Sequence, residues 1–294
     1  MSPFAVPTNL VESIRRNPSP GRREWFQRLP ETVRELAERW GLTLGEPYQP
    51  GGECSWVAPA SDASGQELVL KVGWLHDEAA HEADGLKAWR GRGAVQLWDA
   101  EVRKDTSALL LERCRPGTPL GLSLPESEQD VIIAGLLRQL WSASLHGSRF
   151  QPLQAMCDAR ASEFQQRLAD SPAAVDQDLA RTAIEIFRGL PATADQEVLL
   201  CTDLHAGNVL AAQREPWLVI DPKPHVGDPA YDSVHHMLNC PGRLASDPVG
   251  LAHRMADLLE VDRGRVVQWL FARCVQESLD RPALRNVAAA LAPA

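Results

Sequence analysis

Lysine is nearly absent from this chain: of its 30 basic residues only Lys71, Lys87, Lys104 and Lys223 are lysines. Tyrosine is rarer still, at two residues against nine tryptophans. The arginine excess fits coding bias, and it makes each lysine worth a reason. The six cysteines, Cys54, Cys114, Cys157, Cys201, Cys240 and Cys274, form no Cys-x-x-Cys pair and no tight cluster. That spacing excludes a disulfide scaffold and reads as reduced thiols. No apolar run reaches the roughly 18 residues of a membrane span, and no signal-peptide pattern opens the chain, so a cytoplasmic protein without a membrane partner is expected. Positive charge is also short, giving a net charge of −9. This argues against a nucleic-acid partner and suits a cationic small molecule.

What is present is ordinary globular composition, with 44% apolar and 23% charged residues in 294. That length sits near the point where one core gives way to two. The first 20 residues, with Pro7, Pro18 and Pro20, read as an extended arm. A helical stripe follows through Trp25, Leu29, Val33, Leu36 and Trp40, stopping at Gly41. Short strands come next: one from Ser55 after the Gly51-Gly52 turn, one over Glu67 to Val72, then Val95 to Trp98 and Ala108 to Glu112. A helix over 76–90 interrupts them. Residues 113–120 are rich in turn formers and read as a hinge.

Beyond the hinge the texture is helical. A long stripe through Ile133, Leu137, Leu140 and Trp141 starts near a Ser127/Asp130 capping pair. Further helices are expected in the 150s and 160s, up to Pro191, and two or three from 246 to 292. Between them lie short apolar runs at Val198 to Leu200, Asn208 to Leu210 and Trp217 to Ile220. The expected plan is α+β: residues 1–112 form an arm, a helix and a small antiparallel-sheet lobe, 113–120 a connector, and 121–294 a larger, mostly helical lobe.

The densest polar segment is Thr202-Asp203-Leu204-His205-Ala206-Gly207-Asn208, followed by Trp217 to Asp221. An Asp and an Asn five apart can enter and leave one tight loop, and a short hairpin puts Asp221 beside Asn208. Carboxylate and carboxamide oxygens suit Mg²⁺. A further, uncoordinated carboxylate can position a hydroxyl nucleophile, which completes the inventory for phosphoryl transfer from ATP.

These residues resemble the catalytic loop and metal-binding Asp of the aminoglycoside phosphotransferase family, a branch of the protein-kinase-like fold. The resemblance extends over most of the chain. Leu109 to Arg113 before Pro116-Gly117 is similar to the hinge region, and Asp221-Pro222-Lys223-Pro224-His225-Val226-Gly227-Asp228-Pro229-Ala230-Tyr231-Asp232 most resembles the streptomycin 6-kinase and hydroxyurea-resistance subgroup. Where the family more often carries an aromatic, His or Arg-like residue before the loop, this chain has Cys201-Thr202, a departure expected to change loop packing.

The resemblance implies a bilobal kinase-like fold and an ATP- and Mg²⁺-dependent kinase of a small hydroxyl acceptor, with GTP as the alternative nucleotide. By position, Asp203 is the catalytic Asp and Asn208 and Asp221 are the metal ligands. Lys71 is the phosphate-holding lysine, with Glu82 its partner and Glu78, one helical turn earlier, the competitor. Gly51, Gly52 and Ser55 occupy the place of a phosphate-covering turn, although they form neither Gly-x-Gly-x-x-Gly nor a Lys-containing P-loop. The backbone of Glu112 to Cys114 holds adenine, with Leu70, Leu111, Val219 and Ile220 available to sandwich the ring. His205 holds the loop by packing and hydrogen bonding. Lys223 touches phosphate or neutralises Asp221. Asp228, Asp232 and Glu277 are candidate acceptor contacts, with Asp158, Glu163 and Asp280 behind them; each also reads as a cap, a salt-bridge partner or a solvated residue, and Asp228 as a brace for the loop.

The acceptor expected first is a cationic aminoglycoside such as streptomycin. The alternatives are another small metabolite or hydroxyurea, and, in a different class, a catalytically silent kinase-like binding protein. Retention of Lys71, Asp203, Asn208 and Asp221 argues against silence. No Ala-Pro-Glu follows Asp221, which disfavours a protein kinase. The Trp pattern assigns no oligomeric state.

Overall fold

The computed structural model describes residues 4–76, 81–145, 150–171 and 174–293. The chain divides into two compact units, Met1–Gly117 and Thr118–Ala294.

In the first unit, Thr8–Arg16 forms helix α1 and Pro20–Arg39 forms α2. The extended arm expected over the first 20 residues is therefore corrected. Pro7 occupies the position before α1 and Pro20 the first turn of α2, where a missing N–H breaks no helical bond. The prolines punctuate two helices, and Leu10 and Ile14, four apart, bury one face of α1.

Five antiparallel strands follow: β1 Thr43–Leu44, β2 Ser55–Ser61, β3 Glu67–Trp74, β4 Leu97–Arg103 and β5 Thr106–Glu112, in the order β1-β2-β3-β5-β4. Strand alternation sorts the two faces. Trp56, Ala58 and Ala60 of β2 with Leu68, Leu70 and Val72 of β3 join Trp25, Leu29, Val33 and Leu36 of α2 in one core. Lys71, between Leu70 and Val72, therefore belongs to the opposite face, and Leu70, expected beside adenine, belongs to the core under α2. Strand β4 begins later and runs further than the expected 95–98. It is an edge strand with no buried side chain, so no alternating buried face marks it in the sequence. Helix α3, Glu82–Trp89, lies within the helix expected over 76–90 but starts later: His76 is not helical and His81 stands at its N-cap.

The second unit begins inside the expected connector. Helices α4 Leu120–Ser123, α5 Glu126–Trp141, α6 Leu153–Asp170 and α7 Gln177–Gly189 lead to two small antiparallel ladders. Strand β6 Val198–Leu200 pairs with β9 His225–Gly227, and β7 Val209–Ala211 pairs with β8 Trp217–Val219. Then come α8 Val234–Leu238, α9 Pro241–Ser246, α10 Pro248–Leu259, α11 Arg263–Glu277 and α12 Leu284–Leu291. Helix α11 is central: Val266 and every residue from Trp269 to Val275 are buried.

The expected Ser127/Asp130 capping pair is also corrected. Helix α5 starts after Pro125 without a side-chain cap, and Asp130 lies inside it, fully buried. Its carboxylate accepts from His236 of α8 (2.9 Å), from both terminal nitrogens of Arg243 of α9 (3.0 and 2.7 Å) and from Nε of Arg254 of α10 (2.7 Å). Burial alone would raise its pKa, but these three donors hold the carboxyl well below the ordinary range. Four helices are thus tied at one buried charge.

Among the described residues no helix is long and apolar enough to cross a membrane.

Candidate active site

The loop from Cys201 to Asn208 leaves β6 and enters β7. Its first residues are over-determined. The N–H of Cys201 donates to both oxygens of Asp232, at 3.1 and 3.0 Å, and the N–H of Thr202 donates to Oδ1 at 2.6 Å. The Trp141 indole donates to the same carboxylate at 2.9 Å. On the other side the Thr202 hydroxyl donates to the Lys223 carbonyl (2.6 Å) and the Lys223 N–H to the Cys201 carbonyl (2.9 Å). Together these bonds hold Thr202 at φ 53°, where a β-branched residue is strained, immediately before Asp203.

Asp203 is half-buried, with both carboxylate oxygens engaged: Lys223 Nζ lies 2.6 Å from Oδ2 and His235 Nε2 3.0 Å from Oδ1. Burial pushes the His235 pKa down to about 4 against the pull of Asp203, so its ring is neutral near pH 7. Burial lowers His205 as well, and that ring lies 5.3 Å from His235. His205 caps the short turn Ala206–Asn208 by accepting the Gly207 N–H at Nδ1, 3.1 Å away.

The β7–β8 ladder brings Asn208 to Asp221: Val209 pairs with Val219, and the Ile220 N–H donates to the Asn208 carbonyl at 2.9 Å. The Asn208 amide nitrogen donates to the Asp203 carbonyl at 3.1 Å, so Oδ1 is the side-chain atom it could offer to a cation. Asp221 is the second non-glycine residue of the site at φ 53°. A carboxamide and a carboxylate oxygen on neighbouring residues are a hard donor set, and they fit a magnesium ion.

In the first unit, Lys71 Nζ lies 2.7 Å from both oxygens of Glu82, which is buried in the first turn of α3. The competing partner Glu78 lies outside the described residues. The Gly51-Gly52 turn is held by α1: the Asn9 N–H donates to the Pro50 carbonyl (3.0 Å), and the Asn9 amide to the Gly51 carbonyl (2.9 Å). A Cβ on Gly51 would sit 2.4 Å from Pro7 Cβ at a φ of +76°, so the fold itself requires glycine there. Ser55 begins β2 at the far side of the turn. The Glu112 carboxylate accepts the Gln96 N–H at 2.9 Å, so its side chain braces the β4–β5 end, while Cys114, half-buried, follows it into the connector.

Three carboxylates expected at the acceptor are committed elsewhere. Asp232 is fully buried and accepts from Cys201, Thr202 and Trp141, so it holds the loop that Asp228 was considered for. Burial pushes its pKa up to about 6 against those donors. Asp228, also buried, accepts from the Ala230 N–H, from Arg265 and from the Trp269 indole, and so anchors the start of α11. Glu277 accepts from the buried Arg273, whose other terminal nitrogen donates to Tyr231. Of the remaining candidates, Asp280 pairs with Arg167 and Asp158 accepts from Gln154, while Glu163 is exposed on α6.

Sequence reasoning missed His235. Its one signal is the His235-His236 pair shortly after Asp232, and only the packing of α8 separates a neighbour of Asp203 from a neighbour of Asp130.

Residues 39–280 match the family model for aminoglycoside/hydroxyurea antibiotic resistance kinases. A hydroxyurea phosphotransferase of Kitasatospora aureofaciens is 36% identical over 281 residues, covering 93% of this chain and 79% of the relative. A streptomycin 6-kinase of Streptomyces griseus is 33% identical over 286 residues, covering 93% and 90%. Among solved structures, an aminoglycoside phosphotransferase of Streptomyces rimosus aligns with a TM-score of 0.55 at 18% identity over 87% of this chain and 98% of its own. A spectinomycin phosphotransferase, in complex with ADP and spectinomycin, aligns at 0.54 and 14% identity over 90% and 94%. With its sheet-bearing and helical units and a family match across most of its length, the chain belongs to the aminoglycoside/hydroxyurea antibiotic resistance kinases and is an enzyme of that kind, a phosphotransferase of protein-kinase-like fold.

Proposed function

We propose that the protein transfers the γ-phosphoryl group of ATP, with magnesium, to a hydroxyl of a small cationic acceptor of the aminoglycoside class, streptomycin first. The observation that carries this reading is the braced loop, in which Asp203 offers a half-buried carboxylate between Lys223 and His235 while Asn208 and Asp221 sit together across a hairpin. Asp203 accepts the hydrogen bond of the acceptor hydroxyl and takes its proton as the new O–P bond forms and the bond from the γ-phosphorus to the bridging oxygen of ADP breaks. Lys223 and His235 hold the carboxylate in one orientation, so little reorganisation remains at the moment of transfer. Lys71, kept in place by Glu82, holds phosphate oxygens of the nucleotide. Asn208 and Asp221 would hold magnesium, which would supply charge neutralisation at the transferred phosphoryl group. GTP is the alternative donor.

Hydroxyurea is the second acceptor reading, favoured by the 36% identical relative named for it. Acceptor-dependent ADP release with each compound, followed by NMR location of the phosphate on the product, separates the two. Asp203→Asn is expected to lower turnover by about 10³-fold. ADP release that neither acceptor stimulates, or turnover undiminished in D203N, would sink the proposal.

A further inference from the structure

Asp203, His205 and His235 each offer one ligand atom, and the three atoms lie within 4.8 Å of one another. Two come from the loop after β6, where His205 also caps the turn at Ala206, and the third comes from α8. Two imidazoles and one carboxylate differ in kind from the oxygen pair of Asn208 and Asp221. Magnesium demands hard oxygen donors, whereas nitrogen with a single carboxylate suits zinc and its first-row neighbours.

From this chemistry we propose that Asp203, His205 and His235 form a binding site for a divalent ion of the zinc class, and that the bound ion inhibits the enzyme by occupying the Asp203 carboxylate. The inhibitory consequence rests on the proposed role of Asp203; the binding site does not.

A tetrahedral ion with bonds of about 2.0–2.1 Å needs its ligand atoms roughly 3.3 Å apart. Asp203 Oδ1 and His235 Nε2 already stand 3.0 Å apart, and the His205 ligand atom lies within 4.8 Å of the others, a gap of about 1.5 Å for binding to close. Three protein ligands leave a fourth position to water, the arrangement of an open zinc site. The ion displaces two contacts: the hydrogen bond between His235 and Asp203, and the Gly207 N–H on His205 Nδ1. Lys223 opposes it with one positive charge but holds Oδ2, leaving Oδ1 to the metal. With a divalent cation on Oδ1 and Lys223 on Oδ2, the carboxylate is a much weaker base and no longer takes the proton of a hydroxyl.

Calorimetric titration of the nucleotide-free protein with Zn²⁺, paralleled by Co²⁺ ligand-field absorption, tests the site. The wild type is expected to take up one ion with a tetrahedral Co²⁺ spectrum. His205→Gln and His235→Gln should each weaken binding by more than about 100-fold, beyond what loss of an outer-shell partner costs. Glutamine keeps a donor for Asp203, and an unchanged thermal midpoint certifies the fold; should H235Q unfold, H205Q at its half-exposed position decides alone. Equal affinity in both variants and wild type, which would put the ion on other ligands, overturns the proposal, as does absence of binding. In turnover assays with excess Mg²⁺, zinc should inhibit the wild type at concentrations at least about tenfold lower than H205Q, each measured against its own zinc-free rate. Equal sensitivity removes the inhibitory role. A protein without turnover on any acceptor refutes the proposed activity, while the titration still decides the metal site.

Discussion

Asp203 and Asp232 are carboxylates of the same short region, and only their surroundings tell them apart. Asp203 is half-buried between a lysine and a neutral histidine; Asp232 is sealed off and holds two backbone N–H groups and an indole. The Asp-x-x-x-x-Asn spacing with a downstream Asp singles out Asp203, Asn208 and Asp221 for the roles proposed for them, and the lysine scarcity directs attention to Lys71. Burial is not legible in a residue's identity, so Asp228 and Asp232 look like acceptor contacts until their donors are seen. The same burial gives Asp232 a pH signature. Its folded pKa, about 6, is raised above the ordinary Asp value, so the stability it contributes by binding a proton is fully present below about pH 4 and lost as pH rises through 6. Comparing denaturant unfolding of wild type and Asp232→Asn, the wild type should gain on the variant by about 2 kcal/mol between pH 7.5 and pH 4.5. A difference that stays constant, or shrinks toward acid, would contradict this account of the buried carboxylate.

At the scale of elements, period and punctuation locate most of what forms. The stripe of α2, the β2 and β3 strands and the hairpin that joins Asn208 to Asp221 follow from apolar spacing and turn residues. Two elements do not. Helix α1 is hidden behind prolines that mark its start and its neighbour's, and its stability comes from burying Leu10 and Ile14, about 2 kcal/mol each. Strand β4 lies at an edge, where pairing with β5 rather than burial holds it. Asp130 shows the converse, an element feature that propensity misassigns. It reads as a cap and instead joins α5 to α8, α9 and α10. Asp130→Ala strands the fully buried His236 and two arginines without their common partner, so a loss of about 3 kcal/mol is expected by chemical denaturation. A loss under about 1 kcal/mol would show that Arg243 and Arg254, both partly exposed, satisfy themselves in solvent.

For the whole molecule the net charge of −9 gains a consequence from the family assignment. A cationic acceptor is drawn toward a negatively charged protein and an uncharged one is not, and salt screens the difference. The KM for streptomycin should rise several-fold between about 50 and 500 mM salt, beyond any change for hydroxyurea. Matching salt dependence for the two would mean that the charge has no part in acceptor capture.

The sequence by itself determined the kind of protein this is: order of motifs, the strand-rich and helical halves, and the loop with its Asp, Asn and downstream Asp are local or sequential properties, and local spacing decides them. Tertiary structure alone decided which of many similar side chains do what. Whether His235 faces Asp203 or Asp130, whether Asp232 is solvated or sealed, and why Gly51 must be glycine depend on contacts between residues far apart in the chain: α8 against the loop, Trp141 against Asp232, Pro7 against Gly51. A carboxylate or an imidazole takes its proton affinity and its partners from whatever packs around it, and that neighbourhood exists only once the chain has folded.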